Sequence, residues 1–352
     1  GTWMTVFGVG NHGGGPTRAD IETAKRFQRQ PGPVEISFSS AYDFFEDLRQ
    51  QEPESGYPII SAELNPVFQG TYSTHVETKR SNRQSEQALY TAEVWASVAS
   101  MLDRPYPYHS LQRAWQEVLR NHHHDILPGS NIHASYLHAQ ERFRVALGLA
   151  HEVQNASVKH VASRANTESG PEGLPVVVAN SLSWPRTDVV RVAVADVSPV
   201  GAWEAVDEQG QRVPVEWHVT PKGQAEAVFV ASDVPSVGYK TFWLQEVEKA
   251  TTPRTIREHN SLQNEYFALI VDPTTGSITH IHDKRLGLNL LAPGGNADEI
   301  QILQEGPRGD IEKMNAWVIG AVQSTEVLQD PATPPQVELF PGGGRLTVTY
   351  KY

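Results

Sequence analysis

The stretch NHHHDILPGS, residues 121–130, sets three consecutive histidines and an aspartate directly before a Pro-Gly break, where a helix would end. Imidazole nitrogens and carboxylate oxygens are donors that bind zinc and other divalent metals. The chain has no cysteine, so disulfides and thiolate sites are excluded, and any metal must be held by His, Asp or Glu. A helical step of about 100° per residue from Leu111 puts His122 on the apolar stripe and points His124 roughly the opposite way. His122 therefore reads as a core or interface histidine. His124 and Asp125 read either as a functional pair or as the wet end of a helix, where histidine satisfies terminal carbonyls. Neighbouring histidines do not readily ligate one ion together, so a metal here would take further ligands from elsewhere.

A second candidate is the loop GVGNHGGG. Gly8-x-Gly10-x-x-Gly13 satisfies the dinucleotide fingerprint between a strand and a helix, and Glu35 stands at about the distance of a ribose-binding acid, which would make the protein an NAD-binding oxidoreductase. Against that reading, Asn11 and His12 bulge into the turn, Pro16 comes late, and Glu35 sits near the start of its strand. The loop reads equally as a ligand-facing segment carrying His12, or as a structural turn. In THIHDKR, His280 and His282 share a strand face, a ligand-like spacing that is more simply a polar face running into a turn at Asp283. Phe68-Gln69-Gly70-Thr71-Tyr72 combines aromatics with a flexible glycine, as a sugar subsite would, and as a domain-junction loop also does. Asn155-Ala156-Ser157 is an incidental sequon.

These residues need elements to hold them. With 352 residues the chain is too long for one ordinary core. Residues 1 to about 50 alternate as β-loop-α-β-α: a strand to Val9, a helix from Thr17 through Phe27, the strand PVEISFSS and a helix over AYDFFEDLRQQ, the pattern of a parallel α/β layer or barrel. From about 70 to 155 apolar residues recur at spacings of three and four. Leu89, Ala92, Trp95, Ala96, Ala99 and Leu102 mark one helix, and Leu111, Ala114, Trp115, Val118 and Leu119 a second. Ile132, Tyr136, Ala139, Phe143, Ala146, Leu147 and Ala150 mark a third, with Ser130 as its expected N-cap. Three such helices make a small bundle. After SRANTESGPEG, a linker, short strand-like runs with turn signals from about 172 suggest a β-sandwich, and Asp-Pro-Thr-Thr-Gly (272–276) a hairpin loop.

A formal net charge of -12 argues against nucleic acid and anionic membrane partners, and no apolar run approaches the about 18 residues of a membrane span. GTWMTVFGVG enters at once on a strand-like run and GGGRLTVTYKY stops inside one, with Leu346, Val348 and Tyr350 alternating against Thr347, Thr349 and Lys351. We therefore expect the middle of a larger protein.

The segments FGVGNHGGGPT, ELNPVFQGTYSTHVETKRSNRQSEQALYTAE, HHDILPGS, VANSLSWPR and NEYFALIVDPTTGSITHIHDKR occur together and in this order, and so the chain resembles glycoside hydrolase family 38, the α-mannosidases, especially its bacterial members. The resemblance implies a multidomain α+β architecture. Residues 1–55 would be the C-terminal part of a β/α catalytic domain, 56–160 a helical middle domain, 161–171 a linker and 172–352 a truncated β-sandwich domain. It implies a zinc-dependent retaining enzyme acting on terminal α-mannosides of mannose-containing oligosaccharides, with His124 as a zinc ligand and Asp125 in contact with the sugar. Asn11, His12 and Tyr72 would line the substrate, His12 standing as acid/base or as a subsite wall.

The family's His-x-Asp zinc motif and nucleophilic aspartate have no matching segment here. The remaining zinc ligands are expected outside this chain, which alone should not hydrolyse mannosides. A homodimer and a bacterial cytoplasmic location fit the resemblance and the absent cysteines. The alternatives are the NAD-binding oxidoreductase and a non-catalytic carbohydrate-binding module built from the strands.

Overall fold

The computed structural model describes residues 2–9, 14–51, 53, 56–65, 67–195, 197, 200–220, 223–248, 256–258, 260–306, 315–340 and 343–350, in two compact units, Gly1–Leu64 and Asn65–Tyr352.

The first unit contains two amphipathic helices. α1 (Arg18–Gln28) starts at a capping box in which the Thr17 hydroxyl accepts from the Asp20 N–H and the Asp20 carboxylate accepts from the Thr17 N–H, and α2 (Ala41–Gln50) is capped by Ser40. Neither helix has a buried residue. The strands expected up to Val9 and over PVEISFSS do not form among the described residues. Alternating side chains mark a segment as ready for a sheet, but only hydrogen bonds to a neighbour make it a strand. Val34, Ile36 and Phe38 accordingly stay exposed.

The second unit opens with a 3-10 turn (Gln69–Tyr72) and three helices, α3 (Val76–Ser100), α4 (Tyr108–Arg120) and α5 (His133–Ala162). Their core gathers Leu89, Ala92, Ala96, Leu111, Ala114, Val118, Ala146, Ala150 and Val153, as the three-and-four spacing predicts. Leu119 and Ile132, expected on the same stripes, are exposed. Along α3 the buried stripe changes character. Thr78, Asn82 and Ser85 continue in the same three-and-four rhythm as Leu89, Ala92, Ala96 and Ala99, so the first half of the helix buries polar groups and the second half apolar ones. The buried polar groups are hydrogen-bonded within the bundle: Ser85 donates to the Ser81 carbonyl, Ser81 to Gln140 on α5, and Gln140 to Thr78.

The expected linker is packed rather than free. The Trp243 indole donates to the Thr167 carbonyl at 3.3 Å, and a Cβ at Gly170 would lie 1.9 Å from the Trp243 ring.

The strand-rich part, expected as one sandwich, divides into four sheets. The first runs from β1 (Leu174–Asn180) to β6 (Gly238–Val247) in the order β1-β6-β3-β4-β5-β2, with β2 at Arg186–Val194, β3 at Ala202–Asp207, β4 at Arg212–Val219 and β5 at Ala225–Val234. β4 pairs with β3 as far as Val215 and with β5 from Glu216. Residues from all six strands share one core around Phe229, Phe242 and Leu244. A buried pair, Asp207 and Lys240 at 2.8 Å, stands beside it. Burial works to raise the pKa of Asp207, but donors from Lys240 and the Gln211 and Gln209 N–H groups outweigh it and leave the carboxyl below its ordinary value.

Among the described residues, the later strands contribute to no such core cluster. β7 (Ile256–Glu258), β8 (Ser261–Gln263), β9 (Phe267–Val271), β10 (Ile278–Asp283) and β11 (Leu288–Asn289) form a second sheet. β12 (Gln301–Gly306) pairs with β13 (Ala321–Val327), and β14 (Pro331–Phe340) with β15 (Gly343–Tyr350). In β13 both faces are exposed from Ala321 through Glu326.

The Asp-Pro-Thr-Thr-Gly loop does join β9 to β10. Asp272 accepts from the Thr274 N–H, and Gly276 takes φ +76°. Leu346 and Val348 alternate inward on β15, as their pattern predicts. Among the described residues no helix is long and apolar enough to cross a membrane.

Candidate functional site

The histidine run lies just beyond the end of α4. Because α4 stops at Arg120, the helical step does not carry on to His122. Asn121 takes the core position instead, fully buried and donating to the Ala139 carbonyl at 2.9 Å. His122 stands at the surface of the bundle, where its Nε2 lies 2.9 Å from Asn82 Oδ1 and 3.6 Å from Glu86 Oε1 on α3. Asn82 turns its amide nitrogen to Glu86 at 3.1 Å, so its oxygen accepts and His122 Nε2 carries the proton. Of the two readings, core or interface, His122 is thus the interface histidine, bound to α3 just beyond the end of α4.

Residues 123–130 wind into a tight turn. The N–H groups of Ile126 and Leu127 both donate to the His123 carbonyl, and Gly129 N–H donates to Ile126. His123 and His124 stack with ring centroids 4.3 Å apart. Asp125 N–H donates to His123 Nδ1 at 3.2 Å, and the Ser130 hydroxyl donates to Asp125 Oδ1 at 3.2 Å. Ser130 is therefore not the cap of α5, which begins three residues later behind Ile132. Its hydroxyl has turned back to orient a carboxylate.

That orientation matters for chemistry. With Oδ1 engaged by Ser130, Asp125 presents Oδ2 to His124 Nε2 at 3.5 Å. Ligand atoms of His123, His124 and Asp125 all lie within 4.8 Å of one another. They are not equivalent donors. In the neutral ring, His123 Nδ1 accepts from the Asp125 N–H, which leaves the proton on Nε2 and that nitrogen unable to ligate. His124 Nε2 and Asp125 Oδ2 are the readier pair, on exposed and half-exposed side chains that further ligands can approach. An exposed imidazole nitrogen suits zinc, so His124 fits that ion as one member of a larger set, with the Asp125 carboxylate beside it.

The turn rests on the start of α3. Gly129, at φ +82°, comes so close to the Thr74 carbonyl that a Cβ would stand 2.5 Å from it. Lys79 donates to the carbonyls of Thr74 and of Pro128, the latter at 2.7 Å, and burial holds its pKa below the ordinary lysine value. On the other side, Gly70 N–H donates to the Trp317 carbonyl at 3.0 Å and the Thr74 hydroxyl donates to Ala316 at 2.9 Å. Tyr72, in the same segment, is exposed, and its hydroxyl accepts from Asn65 at 3.0 Å while keeping its own proton to donate. His75 takes a left-handed conformation and stacks on Tyr136 at 4.5 Å.

Asn11 and His12 lie outside the described residues, as do Gly10 and Gly13 of the fingerprint. The described flanks show no strand before that loop, which the dinucleotide reading requires. His280 and His282 sit on the exposed face of β10, and Asp283 holds the following turn by accepting from the Leu286 and Arg285 N–H groups, which lower its pKa. That is the polar strand face. Lys79, Asn82 and Glu86 were not singled out from the sequence. Asn82 carries a signal, a polar residue at the start of a stripe that otherwise runs apolar, while Lys79 and Glu86 flank it at half-buried positions.

The model of the family described as the alpha mannosidase middle domain matches residues 66–161. The chain is 26% identical over 305 residues to Alpha-mannosidase 2C1 of Homo sapiens, a match covering 86% of this chain and 26% of that protein. Its fold is similar to the crystal structure of an alpha-mannosidase from Enterococcus faecalis V583, with a TM-score of 0.64 and 18% identity, over 96% of this chain and 42% of that one. A protein in glycosyl hydrolase family 38 from Enterococcus faecalis is similar too, with a TM-score of 0.61 and 18% identity, over 92% of this chain and 40% of that one.

Proposed function

We propose, since this chain belongs to the α-mannosidases of glycoside hydrolase family 38, that the protein carrying it is a zinc-dependent retaining hydrolase of terminal α-mannosides. The observation that carries the reading is the pair formed by His124 Nε2 and Asp125 Oδ2, 3.5 Å apart at an exposed turn within the matched middle domain.

His124 is the residue of this chain that would hold the ion. Zinc bound there would supply a positive template for sugar hydroxyls. Asp125, its Oδ1 fixed by Ser130, would accept a hydrogen bond from a mannose hydroxyl. Tyr72 would donate its phenolic proton to the same substrate. Retention needs a carboxylate that attacks the anomeric carbon and an acid that protonates the departing oxygen, with water then releasing the sugar. Neither group is assigned among the residues described for this chain.

The test is hydrolysis of an aryl α-mannoside by the full-length protein, with and without a zinc chelator, beside the 352-residue chain alone. Chelator-sensitive turnover by the full-length protein and none by the chain is the expected result. Turnover that persists in His124→Ala would remove this histidine from the site.

A further inference from the structure

The segment from His123 to Asp125 is exposed or half-exposed, yet it is held at both ends by one face of one helix. Upstream, His122 is hydrogen-bonded to Asn82, whose amide nitrogen donates to Glu86, and downstream the Pro128 carbonyl is bound by Lys79. Positions 79, 82 and 86 follow at steps of three and four, which puts them on adjoining turns of α3 facing the same way. Asn82 is nearly fully buried, so its two hydrogen bonds are directional and protected from water. The Lys79 ammonium takes part in two carbonyl contacts, and one of these, to Thr74, also ties down the residue against which Gly129 packs. A buried polar stripe is an unfavourable way to begin a bundle helix unless each group is satisfied, and here its member Asn82, with the half-buried Lys79 beside it, bonds the segment that carries the site residues.

We infer that Lys79, Asn82 and Glu86 are positioning residues for the His123–Asp125 turn, holding it from α3 so that His124 and Asp125 keep their mutual orientation. The role of that turn in zinc and mannoside binding rests on the functional reading above. The tethering itself does not. It follows that loosening either tether frees the turn before any metal is added.

Deuterium uptake by the peptide spanning 122–131 in the chelator-treated full-length protein reads the tether directly, and Zn2+ titration against a chromogenic chelator reads its consequence. Lys79→Met should speed exchange in this peptide about tenfold while leaving peptides from the middle of α5 unchanged. Zn2+ binding should weaken about 10- to 100-fold, as loss of an outer-layer partner does. Lys79→Arg, which still donates to two carbonyls, should restore both. Asn82→Leu loosens the other end and gives a second variant should Lys79→Met fail to fold.

Unchanged exchange in both Lys79→Met and Asn82→Leu would overturn the inference, whatever the metal does. If exchange rises in both while His124→Ala binds Zn2+ as the wild type does, the tether stands and the zinc reading falls.

Discussion

The two halves of α3 bury the same stripe with opposite chemistry. From Leu89 to Ala99 the buried residues are apolar, packed against α4 and α5, and from Thr78 to Ser85 they are polar and hydrogen-bonded. Apolar packing is stabilised by removing area from water and carries little directional information. Buried hydrogen bonds add less net stability, but they specify geometry and are costly when broken on one side. One half of the helix therefore builds the bundle, while the other aims the turn beside it.

This division can be broken or sharpened by substitution. The largest effect is expected from His124→Ala in the full-length protein, with Zn2+ retention and mannoside turnover reduced at least about 100-fold. Its side chain is well exposed, so thermal stability should hardly change. Leu89→Ala should do the reverse. Its side chain is fully buried, and its loss should cost about 3 kcal/mol in denaturant unfolding while the folded fraction binds Zn2+ normally. If Leu89→Ala weakened metal binding as much as His124→Ala, the two halves would not be separable.

Gly129→Ala tests the seam between them. The positive φ and the Thr74 carbonyl both oppose a methyl group, so a loss of about 2 kcal/mol is expected together with weaker Zn2+ binding. The smallest effect is expected at Trp115→Phe, which removes an indole hydrogen bond of 3.0 Å to Glu93 in the apolar half. A loss of about 1 kcal/mol with unaltered Zn2+ binding would mark that half as purely structural.

Much of the bundle was legible beforehand, because burial of Leu89, Ala92, Leu111, Ala114, Phe143 and Ala146 follows directly from helical periodicity. The hairpin at Asp272–Gly276 was legible for a similar reason, since its turn residues carry their own conformational preferences. Ser130 is not the expected cap because that reading depends on where a helix begins. Termini are set by competing side-chain and tertiary contacts rather than by periodicity. The early strands were misjudged on the same ground, since strand pairing is a property of two segments.

By itself the sequence determined which residues could do chemistry: no thiolate, a His-His-Asp run before a Pro-Gly turn, and helices to present it. Residue type and local spacing are one-dimensional facts, and they suffice for that. Only the tertiary structure decided that Ser130 turns Asp125 toward His124, that His123 spends its Nδ1 on a backbone N–H, and that Lys79, Asn82 and Glu86 hold the turn. The tethers to α3 join residues some 40 to 50 positions apart and depend on how the helices pack, while the contacts inside the turn depend on where α4 ends and α5 begins.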